Sequence, residues 1–250
     1  MAGRERQVVA LGGGGFLMEP DNPALDLYVL RQARTPRPTV SFLATASGDS
    51  DSFLAKFYTA FSRHECRPSH HPFFQRTPAL RDYLLRQDVI YVGGGNTRSM
   101  LAVWRDWDLP GLLREAWEAG SVLAGVSAGA ICWFDHGVTD SHAGRLAVLE
   151  CLAFLPGSCC PHYDGDRERR PAYHQFLLNG AVPPGVALDD GAAVHVVDGG
   201  VHRVVASRPG ARGYRVCVRD GAIREEPLEA ECLTSGGTGA PGSAADRSRD

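Results

Sequence analysis

Ser121-Val122-Leu123-Ala124-Gly125-Val126-Ser127-Ala128-Gly129-Ala130-Ile131 decides the fold. It joins a short apolar strand over 121–125 to a run of small residues through the pattern Gly-x-Ser-x-Gly. Such a spacing fits a sharp strand-to-helix turn, where the serine backbone is strained and side chains two residues to either side would collide. The turn lifts the hydroxyl out at the end of a sheet, with the N–H of Ala128 and the start of a helix beside any negative charge that develops there.

Working outward, the same grammar repeats. Val8 to Leu11 is an apolar strand ending in Gly12-Gly13-Gly14-Gly15, and Pro23 to Leu30 reads as a helix. Thr39 to Ala44 is a second strand. Ser52 to Phe61 is helical, with Phe53, Phe57 and Phe61 on one face. Asp88 to Val92 is a third strand, broken by Gly93-Gly94-Gly95-Asn96; Thr97 opens a helix on which Met100, Leu101 and Trp104 align. Gly111 to Ala119 is a further helix that Gly120 stops. Short apolar strands alternating with helices predict a mostly parallel sheet covered on both faces, its strand C-termini sharing one edge.

After Ala143 the pattern loosens. Strands are expected at Val186 to Leu188, Ala192 to Val197, Arg203 to Ala206 and Arg215 to Val218, as a smaller, more antiparallel C-terminal portion. Residues 1–233 are expected to form one α/β domain, and the Gly-, Ser- and Ala-rich stretch 234–250 a disordered tail.

Composition bounds the function. The 250 residues are 44% hydrophobic and 22% charged, as in an ordinary globular chain, and the net charge of -3 gives no reason to expect nucleic acid or an anionic membrane as partner. No apolar run suits a bilayer span, and the charged start lacks the apolar core of a secretory signal. Seven cysteines, odd in number and without a Cys-x-x-Cys pair, fit a reducing cytoplasm.

A serine hydroxyl needs a base, commonly a histidine oriented by a carboxylate. Of nine histidines, His162 stands out in Cys159-Cys160-Pro161-His162-Tyr163-Asp164, on a loop after the Pro156-Gly157 turn. The acids best placed are Asp189 and Asp190, after a short strand, with Asp140 as rival; their types and spacings leave the choice open. Gly93-Gly94-Gly95-Asn96, between strand and helix, can present N–H groups to an oxyanion. The glycine runs complete neither a dinucleotide fingerprint nor a P-loop. Zinc sets drawn from Cys66, His70 and His71, or from Cys159, Cys160 and His162, lack four-ligand spacing.

Five motifs in one order carry a resemblance. Gly12-Gly13-Gly14-Gly15-Phe16, Tyr91-Val92-Gly93-Gly94-Gly95-Asn96-Thr97, Gly125-Val126-Ser127-Ala128-Gly129-Ala130, Pro161-His162-Tyr163-Asp164 and Leu188-Asp189-Asp190-Gly191 are together similar to the peptidase E (aspartyl dipeptidase) family of serine peptidases, related to cyanophycinase. The resemblance implies an α/β/α sandwich like that of class I glutamine amidotransferases. It implies Ser127 as nucleophile, His162 as base, Asp190 as the favoured acid (alternatives Asp189 and Asp140), and Gly94, Gly95 and Ala128 as oxyanion donors. The substrate would be a small peptide, with Asn96, Arg169 and Arg170 as candidate binding residues for an N-terminal aspartate. Neither metal nor organic cofactor is called for, and the chain is expected as a monomer or homodimer. The alternatives are cyanophycinase-like amide hydrolysis, glutamine amide transfer, disfavoured by Ser in place of Cys at the elbow, and a non-catalytic binding module.

Overall fold

Apolar strands of four or five residues, each followed by a glycine or small residue, stack side by side in the computed structural model, which describes residues 4–76, 79–142 and 144–233. The expected tail over 234–250 lies outside the described residues. In chain order the first half contains β1 (Gln7–Leu11), α1 (Gly15–Met18), α2 (Ala24–Arg31), β2 (Thr39–Leu43), α3 (Asp51–Phe61) and β3 (Arg67–His70). There follow α4 (Leu80–Leu84), β4 (Val89–Val92), α5 (Thr97–Asp106), α6 (Leu109–Glu118), β5 (Val122–Val126) and α7 (Ala128–Ile131). The second half supplies β6 (Phe134–His142), β7 (Arg145–Glu150), β8 (Leu155–Cys160), α8 (Arg169–Leu178) and β9 (Gly185–Leu188). It ends with β10 (Ala192–Val197), β11 (Gly200–Ala206), β12 (Gly213–Arg219), β13 (Ala222–Leu228) and β14 (Ala230–Cys232).

The main sheet has eight strands in the order β14-β11-β10-β1-β5-β4-β2-β3, and β1, β5, β4, β2 and β3 run parallel. Their register aligns the strand ends, Leu11 opposite Val126, Gly125 opposite Val92, and Val92 opposite Leu43. The glycine loop after β1, the elbow after β5 and the glycine loop after β4 therefore emerge along one edge, where α/β folds place their ligands.

Both faces of this sheet are covered, because alternate residues of each strand point to opposite sides. Val8, Ala10, Ile90 and Leu123 pack with Met100, Leu101, Trp104, Leu113 and Trp117 of α5 and α6. Val9, Leu11, Phe42, Tyr91 and Ala124 pack with Phe16, Leu25, Val29, Phe57 and Phe61 on the other side. At roughly 1.5–3 kcal/mol for each fully buried large apolar side chain, these two clusters dominate stability. Two of the buried indoles are also satisfied: Trp104 Nε1 donates to Thr45 Oγ1 at 3.0 Å and Trp117 Nε1 to the Gln7 carbonyl at 3.0 Å, whereas Trp133 Nε1 has no partner among the described residues.

The C-terminal strands divide between two sheets. β10, β11 and β14 extend the main sheet, with β10 antiparallel to β1. β9, β12 and β13 join β6, β7 and β8 in a second sheet of order β13-β12-β9-β8-β6-β7, whose centre, β6, β8 and β9, is parallel. This second sheet begins at Phe134, upstream of the irregular region marked by the sequence. Pro156-Gly157, read as a turn, lies inside β8. The positive φ of Gly157 (94°) and a register shift between Phe134 and His136 absorb the irregularity as a bulge. Among the described residues no helix is long and apolar enough to cross a membrane.

Candidate active site

The elbow is built by steric exclusion. Ser127 sits at φ 56°, ψ -110°, a conformation that costs a non-glycine residue about 1–3 kcal/mol. Its N–H donates to the Leu11 carbonyl at 3.1 Å, and its own carbonyl receives the N–H groups of Ala130 (2.9 Å) and Ile131 (3.0 Å). A Cβ on Gly125 would lie 2.3 Å from the Gly129 carbonyl oxygen, and one on Gly129 would lie 2.2 Å from that of Val92. Only glycine lets the turn close against β4. The Ser127 side chain caps nothing and takes no hydrogen bond among the described residues, so its hydroxyl is free to meet a base and a substrate.

The imidazole arrives from the second sheet. β8 ends at Cys160, and after Pro161 the backbone of His162 turns left-handed (φ 52°), its N–H donating to the Gly12 carbonyl at 3.1 Å. Ser127 and His162 therefore hang from the carbonyls of consecutive residues, Leu11 and Gly12, at the C-terminal end of β1. The chain next crosses this point between β9 and β10, where Gly12 N–H donates to the Ala192 carbonyl at 2.9 Å and Gly191 N–H to the Gly13 carbonyl at 3.1 Å.

That crossing delivers Asp190. Its Oδ1 lies 2.5 Å from His162 Nδ1, with the imidazole 19% and the carboxylate 26% exposed. A carboxylate only accepts, so Nδ1 carries the proton in this pair and Nε2 is left to receive one. Gly13 makes the pair possible. A Cβ there would stand 1.9 Å from Asp190 Oδ1 and 3.0 Å from His162 Nδ1. Asp164 Oδ1 accepts the Asp190 N–H at 2.7 Å, and its other oxygen pairs with Arg208 at 2.6 Å.

The other two acids are engaged elsewhere. Asp189 Oδ2 accepts the Arg212 N–H at 3.0 Å, and burial pushes its carboxyl up to about 6. Asp140 Oδ2 pairs with Arg169 at 2.9 Å.

The loop after β4 is pinned at both ends. Gly93 N–H donates to the Leu43 carbonyl (3.0 Å) and Asn96 N–H to that of Ala46 (2.8 Å), while the N–H groups of Gly94, Gly95 and Ala128 have no acceptor among the described residues. A Cβ on Gly94 would stand 3.5 Å from Ser127 Cβ, so this loop and the nucleophile candidate face one another. Asn96 Oδ1 caps α5 by accepting the Ser99 N–H at 2.9 Å, and its Nδ2 reaches the Ser141 carbonyl at 3.4 Å.

The cations proposed for substrate are committed to internal pairs. Buried Arg169 holds Asp140 at 2.9 Å and Asp166 at 3.5 Å, and Arg170 pairs with Glu225 of β13. Sequence reading missed the space held by Gly13 and the support given by Asp164 and Arg208. Asp164, two residues from His162, was the one visible signal. The zinc sets stay apart: Cys159 and Cys160 point into different hydrophobic clusters on either side of β8, and His70 bonds to the Tyr58 hydroxyl at 2.8 Å.

Comparison with known proteins shows the family and the fold. Residues 8–204 match Peptidase family S51. The chain is 51% identical over 229 residues to the uncharacterized peptidase YgaJ of Bacillus subtilis (strain 168), covering 91% of this chain and 99% of that one. It is 30% identical over 147 residues to Peptidase E of Haemophilus influenzae, covering 54% of this chain and 64% of that one. The fold matches the crystal structure of a peptidase from an acI-B1 Actinobacterium with a TM-score of 0.67 at 18% identity, over 90% of this chain and 94% of that one. The chain belongs to Peptidase family S51 and is a serine-type peptidase.

Proposed function

We propose that the chain hydrolyses short peptides, dipeptides with an N-terminal aspartate foremost, through an acyl-enzyme on Ser127. His162 Nε2 takes the hydroxyl proton as Ser127 attacks the peptide carbonyl, and then gives it to the leaving amine. Asp190 holds the imidazole in the required tautomer and stabilises the cation that forms. The tetrahedral oxyanion is received by the N–H groups of Ala128, Gly94 and Gly95, a kind of donor of which one is worth roughly 2.7–4 kcal/mol. Water then attacks the acyl-enzyme with His162 again as base.

One observation carries this reading: Ser127 and His162 are suspended from adjacent carbonyls at the end of β1, with Asp190 on Nδ1 of the imidazole. The aspartate preference is supported by the resemblance to peptidase E alone, since Arg169 and Arg170 both carry internal acidic partners.

Ser127→Ala is expected to lower turnover of a cleaved dipeptide by about ten-thousandfold or more. The same rate in variant and wild type would end the assignment. A panel pairing Asp-x dipeptides with Asn-x, Glu-x, isoaspartyl and N-blocked forms tests the preference: cleavage limited to Asp-x supports it, and equal cleavage of Asn-x removes it.

A further inference from the structure

The hairpin β12–β13 lies beyond residues 8–204, the span that the family match covers, yet it reaches back to the loop that carries His162. Glu225 of β13 accepts a hydrogen bond from the Tyr163 hydroxyl and another from Arg170 Nε at 2.9 Å, while its second oxygen pairs with Arg170 Nη2. His174 Nε2 lies 2.8 Å from both the Tyr163 hydroxyl and the carboxylate. The Arg170 guanidinium sits 5.2 Å over the Tyr163 ring and 5.8 Å from the ring of Tyr214, so α8, β12 and β13 close around one tyrosine. Burial alone would push the Glu225 carboxyl up, but the hydrogen bonds from Arg170, Tyr163 and His174 outweigh it and hold the group down at about 2. The clamp is therefore charged at any ordinary pH.

Tyr163 directly follows His162. The histidine backbone is left-handed, a conformation that an L-residue leaves unless its neighbours are fixed. On one side His162 N–H is tied to Gly12. On the other, Tyr163 N–H donates to the Leu188 carbonyl at 3.0 Å, and its buried ring ends in the Glu225 clamp. Charge-assisted hydrogen bonds of this kind are the strong ones.

We propose that Glu225 is a positioning residue for the base, gripping the Tyr163 hydroxyl so that His162 keeps the strained backbone that sets its imidazole on Asp190. The proposal rests on the reading of Ser127 and His162 as nucleophile and base. It assigns to the C-terminal hairpin a part in the chemistry that its distance in sequence hides. A small displacement of a reacting group is enough to cost one to two orders of magnitude in rate.

The test follows the rate at which a fluorophosphonate labels Ser127 in the full chain, beside the thermal midpoint. Glu225→Gln and Tyr163→Phe are each expected to slow labelling about tenfold. The double variant is expected to be no slower than Tyr163→Phe alone, because Gln at 225 removes the charge from the Tyr163–Glu225 bond and Phe at 163 removes its donor, so both act on the same contact. Glu226→Gln, at the neighbouring exposed position of β13, is expected to label at the wild-type rate. A dipeptide that the enzyme cleaves should show the loss in kcat with KM unchanged. Wild-type labelling by folded Glu225→Gln overturns the proposal alone, as do additive losses in the double variant that track a falling midpoint. Failure of the wild-type protein to label at Ser127 overturns the site reading, and the proposal with it. Should Glu225→Gln not fold, Tyr163→Phe, which keeps the ring and removes only the hydroxyl, decides the question.

Discussion

A missing methyl group at position 13 leaves room for the Asp190 carboxylate beside His162. The Asp190 carboxylate occupies the volume that any side chain at Gly13 would need, with 1.9 Å between its Oδ1 and the Cβ an alanine would carry. Gly13→Ala is therefore expected to push Asp190 off His162 and to behave kinetically like Asp190→Asn, for which loss of the correct tautomer costs about ten-thousandfold in kcat. The two variants differ in one respect that a binding measurement reads: both should still bind a substrate analogue, but only Gly13→Ala should lose thermal stability, because only it introduces overlap. An Asp190→Asn protein with undiminished turnover, beside an inactive Asp189→Asn or Asp140→Asn, would move the acid to one of those positions.

At the scale of elements, the elbow shows why some of this structure could be read from letters and some could not. Gly125 and Gly129 are legible because the constraint is local: each excludes a Cβ within 2.3 Å of backbone belonging to the same turn or the neighbouring strand. Gly129→Ala must shift either the elbow or the Val92 carbonyl. It is expected to lose about 1–3 kcal/mol in chemical denaturation and to label more slowly at Ser127; unchanged values in both would contradict the packing described. The strands β1, β2, β4 and β5 and the helices α2, α3, α5 and α6 were legible for a similar reason, since apolar periodicity answers to one nearby surface; β3, the polar stretch Arg67-Pro68-Ser69-His70, carries no such pattern and is a strand only through its pairing with β2. β6 and β8 were not. Phe134-Asp135-His136-Gly137 and Leu155-Pro156-Gly157-Ser158 lack a clean alternation, and they become strands because partners far along the chain complete them. Likewise α8 begins inside a charged run, Arg167 to Arg170, of which Arg169 and Arg170 look solvated until Asp140, Asp166 and Glu225 are folded against them. Of the site, the serine and histidine could be read from their motifs, whereas the pairing of His162 with Asp190 in preference to Asp189 depends on the crossing from β9 to β10, which no local pattern encodes.

For the whole molecule the edge that carries the site is also where a buried acid burdens the fold. Asp26 of α2 is 2% exposed beneath the Gly12–Gly15 turn, and burial pushes its carboxyl from the ordinary 3.8 up to about 7. The folded chain thus binds this proton more tightly than the unfolded one. The contribution to stability is complete below about pH 4, falls as pH rises through 7, and is then constant; about three pH units of difference correspond to roughly 4 kcal/mol. His195 acts in the opposite direction over much of that window. Its imidazole is buried and held down at about 4, so the unfolded chain takes up the proton first and stability rises as pH climbs from 4 to about 6.5. The wild-type pH profile therefore conceals both groups. Subtracting the profile of Asp26→Asn removes His195 from the comparison, since that residue is common to the two proteins. The variant is expected to gain little on the wild type at pH 4.5 and as much as roughly 3–4 kcal/mol at pH 8, measured by urea unfolding at each pH. A difference between the two proteins that stays the same at both values would mean that Asp26 keeps its charge in the folded state, and that something beneath the glycine turn compensates a buried carboxylate.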